Sequence, residues 1–257
     1  MEIIKYFDEA NRSVALDAYL RKFGKRWSLS GKLETYNNAK VARCESASPD
    51  ERKEAANKVY HTVWCDWAAG EGASGAHWLP NDLLVFFEEN GRQLAFECLS
   101  EPSVLEAVDF QNTLRQLLTE LYAVKQNKAH YPWVAVSKFL HVSNPALFPI
   151  YDITHVWNKA ISIDRGKRGV FANDYASFCS THGCKPNDYS AEFNLTYARF
   201  ASAIMQEVSE SFMPWFANWL RQQLHGCLDP QNVLADVERF YATGFEMILL
   251  GATYQNL

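Results

Sequence analysis

A chain of 257 residues, 48% hydrophobic and 14% aromatic, can bury a sizeable core, which excludes an intrinsically disordered protein. Its formal net charge of −5 excludes nucleic-acid binding driven by bulk charge, though not by a local basic face. No apolar run approaches the roughly 18 residues of a transmembrane helix, and the opening MEIIKYFDEANRS lacks the apolar stretch of a secretory leader, so a cytoplasmic protein with no membrane partner is expected.

The elements are mostly helical. Residues 9–23 predict a helix with Val14, Leu16, Tyr19, Leu20 and Phe23 on one face. Asp50 to Trp67 predicts a second, with Pro49 and Asp50 at its start. GEGASG at 70–75 breaks the chain. Leu83 to Leu99 has two apolar runs around Asn90-Gly91, which predicts a β-hairpin over the competing helix–loop–helix. Val104–Val124 predicts a long helix, 133–143 and 153–163 two more, and 190–224 a long one split or kinked near Met213-Pro214. Asp229-Pro230 predicts the start of a last helix that ends near Leu250-Gly251. The fold class is therefore mainly α with one small β element. It forms one compact unit over 1–257, or two lobes meeting in the loop-rich stretch 70–103.

Six scattered cysteines suit reduced thiols. Cys179-Ser180-Thr181-His182-Gly183-Cys184 lacks a fourth metal ligand and reads as a loop with two free thiols, so no metal is expected. Two basic clusters stand out, Arg21 to Arg26 and Asp164 to Arg168, the latter with Arg165, Lys167 and Arg168. Either could be only a solvated loop.

One lysine and one aspartate sit in apolar company within SKFLHVSNPALFPIYDITHVWNKA, residues 137–160. On a helix over 133–143, Lys138 shares a face with Val134, Ala135, His141 and Val142. Desolvation there would favour the neutral amine, a nucleophile, whereas a snorkelling lysine would keep its head in water. Asp152 precedes the pattern Ile153-Thr154-His155-Val156-Trp157, the place of an N-cap. Asn144-Pro145 ends the first helix, and the run through Phe148-Pro149-Ile150 turns the chain back, so Asp152 can approach the Lys138 helix.

This stretch resembles the lysine-to-aspartate segment of helix-hairpin-helix DNA glycosylases, closest to the 8-oxoguanine glycosylase branch and its prokaryotic relatives. The matching positions are Lys138, Pro145, Pro149-Ile150, Asp152 and Trp157, within residues 125–160. The resemblance implies a two-lobed helical fold that bends double-stranded DNA and flips a modified base into a cleft. It implies Lys138 as nucleophile or electrostatic partner at the sugar, and Asp152 as the carboxylate stabilising the developing positive charge. A monomer suffices, with no metal or cofactor. The excised base would be an oxidised guanine or a bulky modified base such as those of phage DNA. The hairpin's usual Gly-hydrophobic-Gly turn is replaced here by Val134-Ala135-Val136-Ser137. Phosphate anchoring is then expected from the Asn127-Lys128-Ala129-His130 turn, with Lys128, or from the Ser137 hydroxyl. Of the aromatics that could wall a base pocket (Trp64, Trp67, Trp78, Tyr131, Trp133, Phe212 and Trp215), Trp133 is placed nearest the site, together with His155. The alternative is a non-catalytic helical module that binds DNA or protein, with Lys138 snorkelling and Asp152 only capping. No GxSxG, HExxH, P-loop or GxGxxG motif occurs to suggest another enzyme.

Overall fold

A computed structural model describes residues 1–24, 28–67, 84–95, 102–123, 132–164, 166, 168–186, 191–224 and 239–255. A short 3₁₀ turn, Glu2–Phe7, leads into α1, Glu9–Phe23. Then come α2 (Leu29–Ala42) and α3 (Pro49–His61), which runs on into a π-helical turn, Thr62–Asp66. A helical segment spans 84–94, and a 3₁₀ turn, Pro102–Glu106, precedes α4, Val108–Ala123. After α5 (Pro132–Ser143) a nine-residue π-helix, Ile153–Ile161, follows an extended run. The chain ends in α6 (Ala172–Thr181), α7 (Ala191–Gln223) and α8 (Tyr241–Gln255). Among the described residues there is no strand, and the fold is mainly α.

The start of α3 follows from its sequence. Ser48 and Glu51 form a reciprocal capping box, and Pro49 sits where its missing N–H costs nothing. The hairpin expected over 83–99 is corrected by the structure, which is helical through Asn90-Gly91. The burial pattern gives the reason. Neighbours Phe86 and Phe87 are both in the core, as are Leu94 and Ala95, and two adjacent buried residues fit a helix face rather than the alternation of a strand. Glu88 is drawn to Arg52 of α3 at 2.8 Å.

Two further boundaries differ. α7 is unbroken at Pro214: Pro214 and Glu210, whose carbonyl loses its partner, are both exposed, so water can serve that carbonyl. α8 continues past Gly251 to Gln255. Gly251 is a packing residue and not a stop, since a Cβ there would meet the Ala15 carbonyl oxygen at 1.9 Å. That close approach lets α1 lie along α8. The helix expected over 104–124 begins as a 3₁₀ turn, and the expected start of the last helix at Asp229-Pro230 lies outside the described residues. Cys179 is not in a loop but on the buried face of α6; Gly183, with φ +67°, turns the chain beyond it.

α8 is buried along almost its whole length between α1 and α7. α5 is the second interior helix, in contact with α2, α4 and α7. α5 is buried from Val136 to Val142 although Ser137, Lys138 and His141 are polar, so each of these must find a partner inside the bundle.

Candidate functional site

Lys138 is 2% exposed, and its ammonium donates to the backbone carbonyl of Trp67, the residue that closes the π-turn after α3. It does not snorkel. A buried ammonium needs an acceptor, and this carbonyl is one. Ser137, next to it, makes a clasp. Its hydroxyl accepts from the Tyr151 N–H at 3.0 Å, and its hydrogen reaches the carbonyl of Val134 at 2.8 Å or of Tyr151 at 3.1 Å. The residue before the lysine is thus tied to the residue before the aspartate.

Between them, Asn144 ends α5. Its side-chain oxygen accepts from the Leu147 N–H at 3.2 Å, and its carbonyl accepts from Phe148 at 3.1 Å. The chain then extends to Asp152, whose φ of −136° and ψ of 133° fit an N-cap. The cap is made: Asp152 Oδ1 accepts from the His155 N–H at 2.7 Å. The Asp152 carbonyl takes both Val156 and Trp157 N–H groups, at 3.0 and 2.9 Å, as the helix widens to π geometry. At the far end the Lys159 and Ala160 carbonyls accept from Val170 and Phe171 at 2.9 and 2.7 Å. Gly169 is required there, because a Cβ would lie 2.5 Å from the Ala160 carbonyl. Helices of π type are rare and favour functional sites. Here one starts at Asp152, and another ends at the residue that holds Lys138.

Asp152 is half-buried at the start of the π-helix, which packs against α8. His155 Nδ1 lies 2.5 Å from the Tyr254 hydroxyl, and Phe23 meets both rings edge-on. The ammonium groups of Lys22 and Lys159 lie over the Tyr254 ring, at 5.3 and 4.9 Å. Burial raises the Tyr254 pKa, and the Asp152 charge raises it further.

Behind Asp152 lies a polar group set in the core. Lys32 and Glu246 form an ion pair at 3.4 Å with neither side chain exposed. The Ile150 backbone N–H, two residues before Asp152, lies close enough to offset part of the effect of burial on the Glu246 pKa. The Glu246 Oε1 is buried without a hydrogen bond. Burial pushes both partners toward neutrality: the Glu246 pKa goes up and the Lys32 pKa goes down, each partly held back by the other's charge. Beside the pair, Thr243, Tyr36, His141 and the Phe148 carbonyl form a chain with steps of 3.1, 2.6 and 2.6 Å. A carbonyl only accepts, so His141 Nδ1 carries the hydrogen and Nε2 accepts from Tyr36.

Burial, reinforced by the Lys32 charge, holds His141 well below its usual 6.5. A depressed folded pKa gives stability that is present above the unfolded value and lost as pH falls toward the folded one. Wild-type protein should therefore lose about 1.4 kcal/mol per pH unit below the unfolded histidine value, relative to His141→Gln. Urea unfolding of both proteins across pH 7.5 to roughly 5.5 checks this, and equal slopes would remove His141 as the cause.

The remaining expected site residues scatter. Ser137 is buried and its hydroxyl is used inside the protein, so phosphate anchoring does not fall to it. Arg168 is exposed, donates to Asn173 Oδ1, and stands at the opposite end of the π-helix from Asp152. Trp133 is on the first turn of α5. Lys128, Arg165 and Lys167 lie outside the described residues, as do Lys25 and Arg26 of the first basic cluster. Of the candidate wall aromatics, Trp78 and Tyr131 lie outside the described residues, and Trp67 accepts from Lys138 through its carbonyl. Phe212 is in the core against Phe7, Trp64 stacks on Tyr60, and Trp215 lies under the Arg12 guanidinium. Sequence reasoning missed Lys32, Tyr36, Glu246, Tyr254 and Lys159. The signal available was a lone glutamate in FEMILLGA, a charge with no exposed face to occupy. Compared with known proteins, the chain matches no family model, no curated protein and no solved structure.

Proposed function

We propose that this protein is a DNA glycosylase that excises a modified base, an oxidised guanine or a bulky phage-type base, from double-stranded DNA. The observation that carries the reading is the Ser137–Tyr151 clasp, which ties together the residues immediately before Lys138 and Asp152. Asp152 is partly exposed at a helix start, and Lys22 and Lys159, over the Tyr254 ring that the Asp152 charge reaches, are the cations offered to phosphate. These lysines replace the phosphate-holding glycine turn that the sequence lacks.

In this reading Asp152 stabilises the positive charge that grows on the sugar as the C1′–N bond breaks. The base leaves with the bonding electrons and takes up a proton, and a nucleophile adds to C1′. Where that nucleophile is water, Lys138 supports the site electrostatically. Where it is the Lys138 amine, the nitrogen must leave the Trp67 carbonyl, lose a proton and bond to C1′; ring opening then gives an imine. The two routes differ in one product, an adduct that borohydride reduces to a stable protein–DNA bond.

A second reading has its own observation. Lys138 is buried on the Trp67 carbonyl, as a purely structural lysine would be. A non-catalytic helical DNA- or protein-binding module needs nothing more from it. The deciding experiment incubates the protein with duplexes carrying a panel of oxidised and bulky modified bases, then converts abasic sites to strand breaks with alkali. Abasic sites are expected in at least one duplex. None in any duplex, from folded protein, would overturn the glycosylase reading in favour of the module.

A further inference from the structure

The motif Cys179-Ser180-Thr181-His182-Gly183-Cys184 closes α6 in a particular way. Cys179 is on the last turn of the helix, His182 ends it, and Gly183 takes a left-handed φ of +67°. The Cys184 N–H then returns to the Cys179 carbonyl at 2.8 Å. That is the hydrogen bond of a Schellman turn, which often brings the side chains of the two bonded residues together. We infer that Cys179 and Cys184 form a reversible dithiol site, at which a hydroperoxide oxidises the pair to a disulfide.

The backbone permits the bond. With that hydrogen bond at 2.8 Å, standard covalent geometry keeps the two Cα atoms no more than about 6.7 Å apart. A disulfide spans roughly 4.4–6.8 Å between Cα atoms. The two thiols are not equivalent. Cys179 is buried, whereas Cys184 is partly exposed. Arg199 Nη1 donates to Cys184 Sγ at 3.5 Å, and Glu106 holds that guanidinium with two bonds of 3.1 and 2.7 Å. Arg115, held by Glu192, also feels the Cys184 charge. The Cys184 thiol has the His182 carbonyl at 3.6 Å as its own acceptor. Positive charge against a partly exposed sulfur is the setting in which thiolates attack, so Cys184 is the attacking residue. Burial, and then the Cys184 charge, push the Cys179 thiol up to about 11, with Arg199 among the groups that hold it back. Cys179 therefore waits as a thiol beneath its partner.

The chemistry takes two steps. The Cys184 thiolate attacks one oxygen of the hydroperoxide. The S–O bond forms, the O–O bond breaks, and the leaving oxygen takes up a proton. Sulfur gives up two electrons to the peroxide and becomes a sulfenic acid. Cys184 is then neutral, so the charge that opposed ionisation of Cys179 is gone. The Cys179 thiolate next displaces hydroxide from the Cys184 sulfur. The S–S bond forms, the S–O bond breaks, and the hydroxide leaves as water with the proton that Cys179 gave up. A dithiol reductant reverses the result by exchange.

The test treats the fully reduced whole chain with a few equivalents of hydrogen peroxide, blocks the remaining thiols with iodoacetamide and maps the peptides by mass. The segment holding both cysteines should lose two hydrogens, about 2 Da, resist alkylation, and regain both thiols with dithiothreitol. In Cys179→Ser, dimedone should trap Cys184 as the sulfenic acid about tenfold faster than it traps Cys65, which is more exposed and so controls for access alone. Cys184→Ser should leave Cys179 reduced, because its sulfur is buried. Melting curves establish that both variants are folded, and Cys179→Ala replaces Cys179→Ser where serine prevents folding. Full alkylation of Cys179 and Cys184, after peroxide that has oxidised Cys65, overturns the inference. So does oxidation of Cys179 in folded Cys184→Ser, or labelling of Cys184 no faster than Cys65, since either removes Cys184 as the attacking residue.

Discussion

Asp152→Asn should cost base release roughly 10²- to 10⁴-fold while leaving the protein folded. Asparagine keeps the oxygen that accepts from the His155 N–H, and it caps helices about as well as aspartate, so the start of the π-helix survives. What disappears is the negative charge. Its position is felt by the groups around it: Asp152 contributes to the raised pKa values of Tyr254 and Glu246. The same field would stabilise an oxocarbenium-like sugar beside Asp152. Single-turnover release and thermal melting should be measured on one preparation. Full activity in the variant would take Asp152 out of the mechanism. Loss of activity together with several degrees of Tm would leave it only a cap.

The parts of this fold that could be read from sequence are those where local chemistry and tertiary role agree. α1 matches its expected span, 9–23, and α3 announces itself through Ser48-Pro49 and Glu51. The cap at Asp152 was legible for the same reason, since an aspartate before an apolar helical pattern has one common use. α2 was not legible. Its sequence LSGKLETYNNAKVA holds a glycine and two asparagines, weak helix formers that Ser28 and packing against α3 override. The segment 84–94 misled because Asn-Gly between apolar runs is a strong hairpin signal, and only the burial of adjacent phenylalanines shows the helix. Gly251 read as a stop because a glycine's usual meaning is conformational, whereas here it makes room for the Ala15 carbonyl 236 residues away in sequence. The partners of a buried charge are hardest of all. Lys138 was singled out from its neighbours, but nothing local says that its acceptor is a backbone carbonyl in another helix. Nor does anything local pair Lys32 with Glu246.

That pair sets the largest expected change in stability. Lys32→Met should destabilise the protein by roughly 3–5 kcal/mol, the range for a buried ion pair broken on one side. The methionine fills most of the stem's volume, so the cost is electrostatic: Glu246 is left inside α8 without its counter-charge, one oxygen already lacking a hydrogen bond. The pH dependence follows with a definite sign. Burial already raises the Glu246 pKa above the ordinary 4.5, and losing Lys32 raises it further. A raised folded pKa gives stability that is complete below the unfolded value and lost as pH rises through the folded one. The deficit of Lys32→Met should therefore be greatest near neutral pH and shrink toward pH 4.5, where Glu246 enters the core protonated. The double variant Lys32→Met/Glu246→Met removes both charges and should recover most of the loss, because two well-packed apolar groups can replace a buried pair at little cost. Denaturant unfolding of wild type, both single variants and the double across that pH range tests the chain of reasoning. A Lys32→Met deficit independent of pH would mean that lost packing, not the stranded carboxylate, is the cause. If the double variant regains stability but not base release, the pair contributes to the site through its charges, which lie behind the extended run that leads to Asp152.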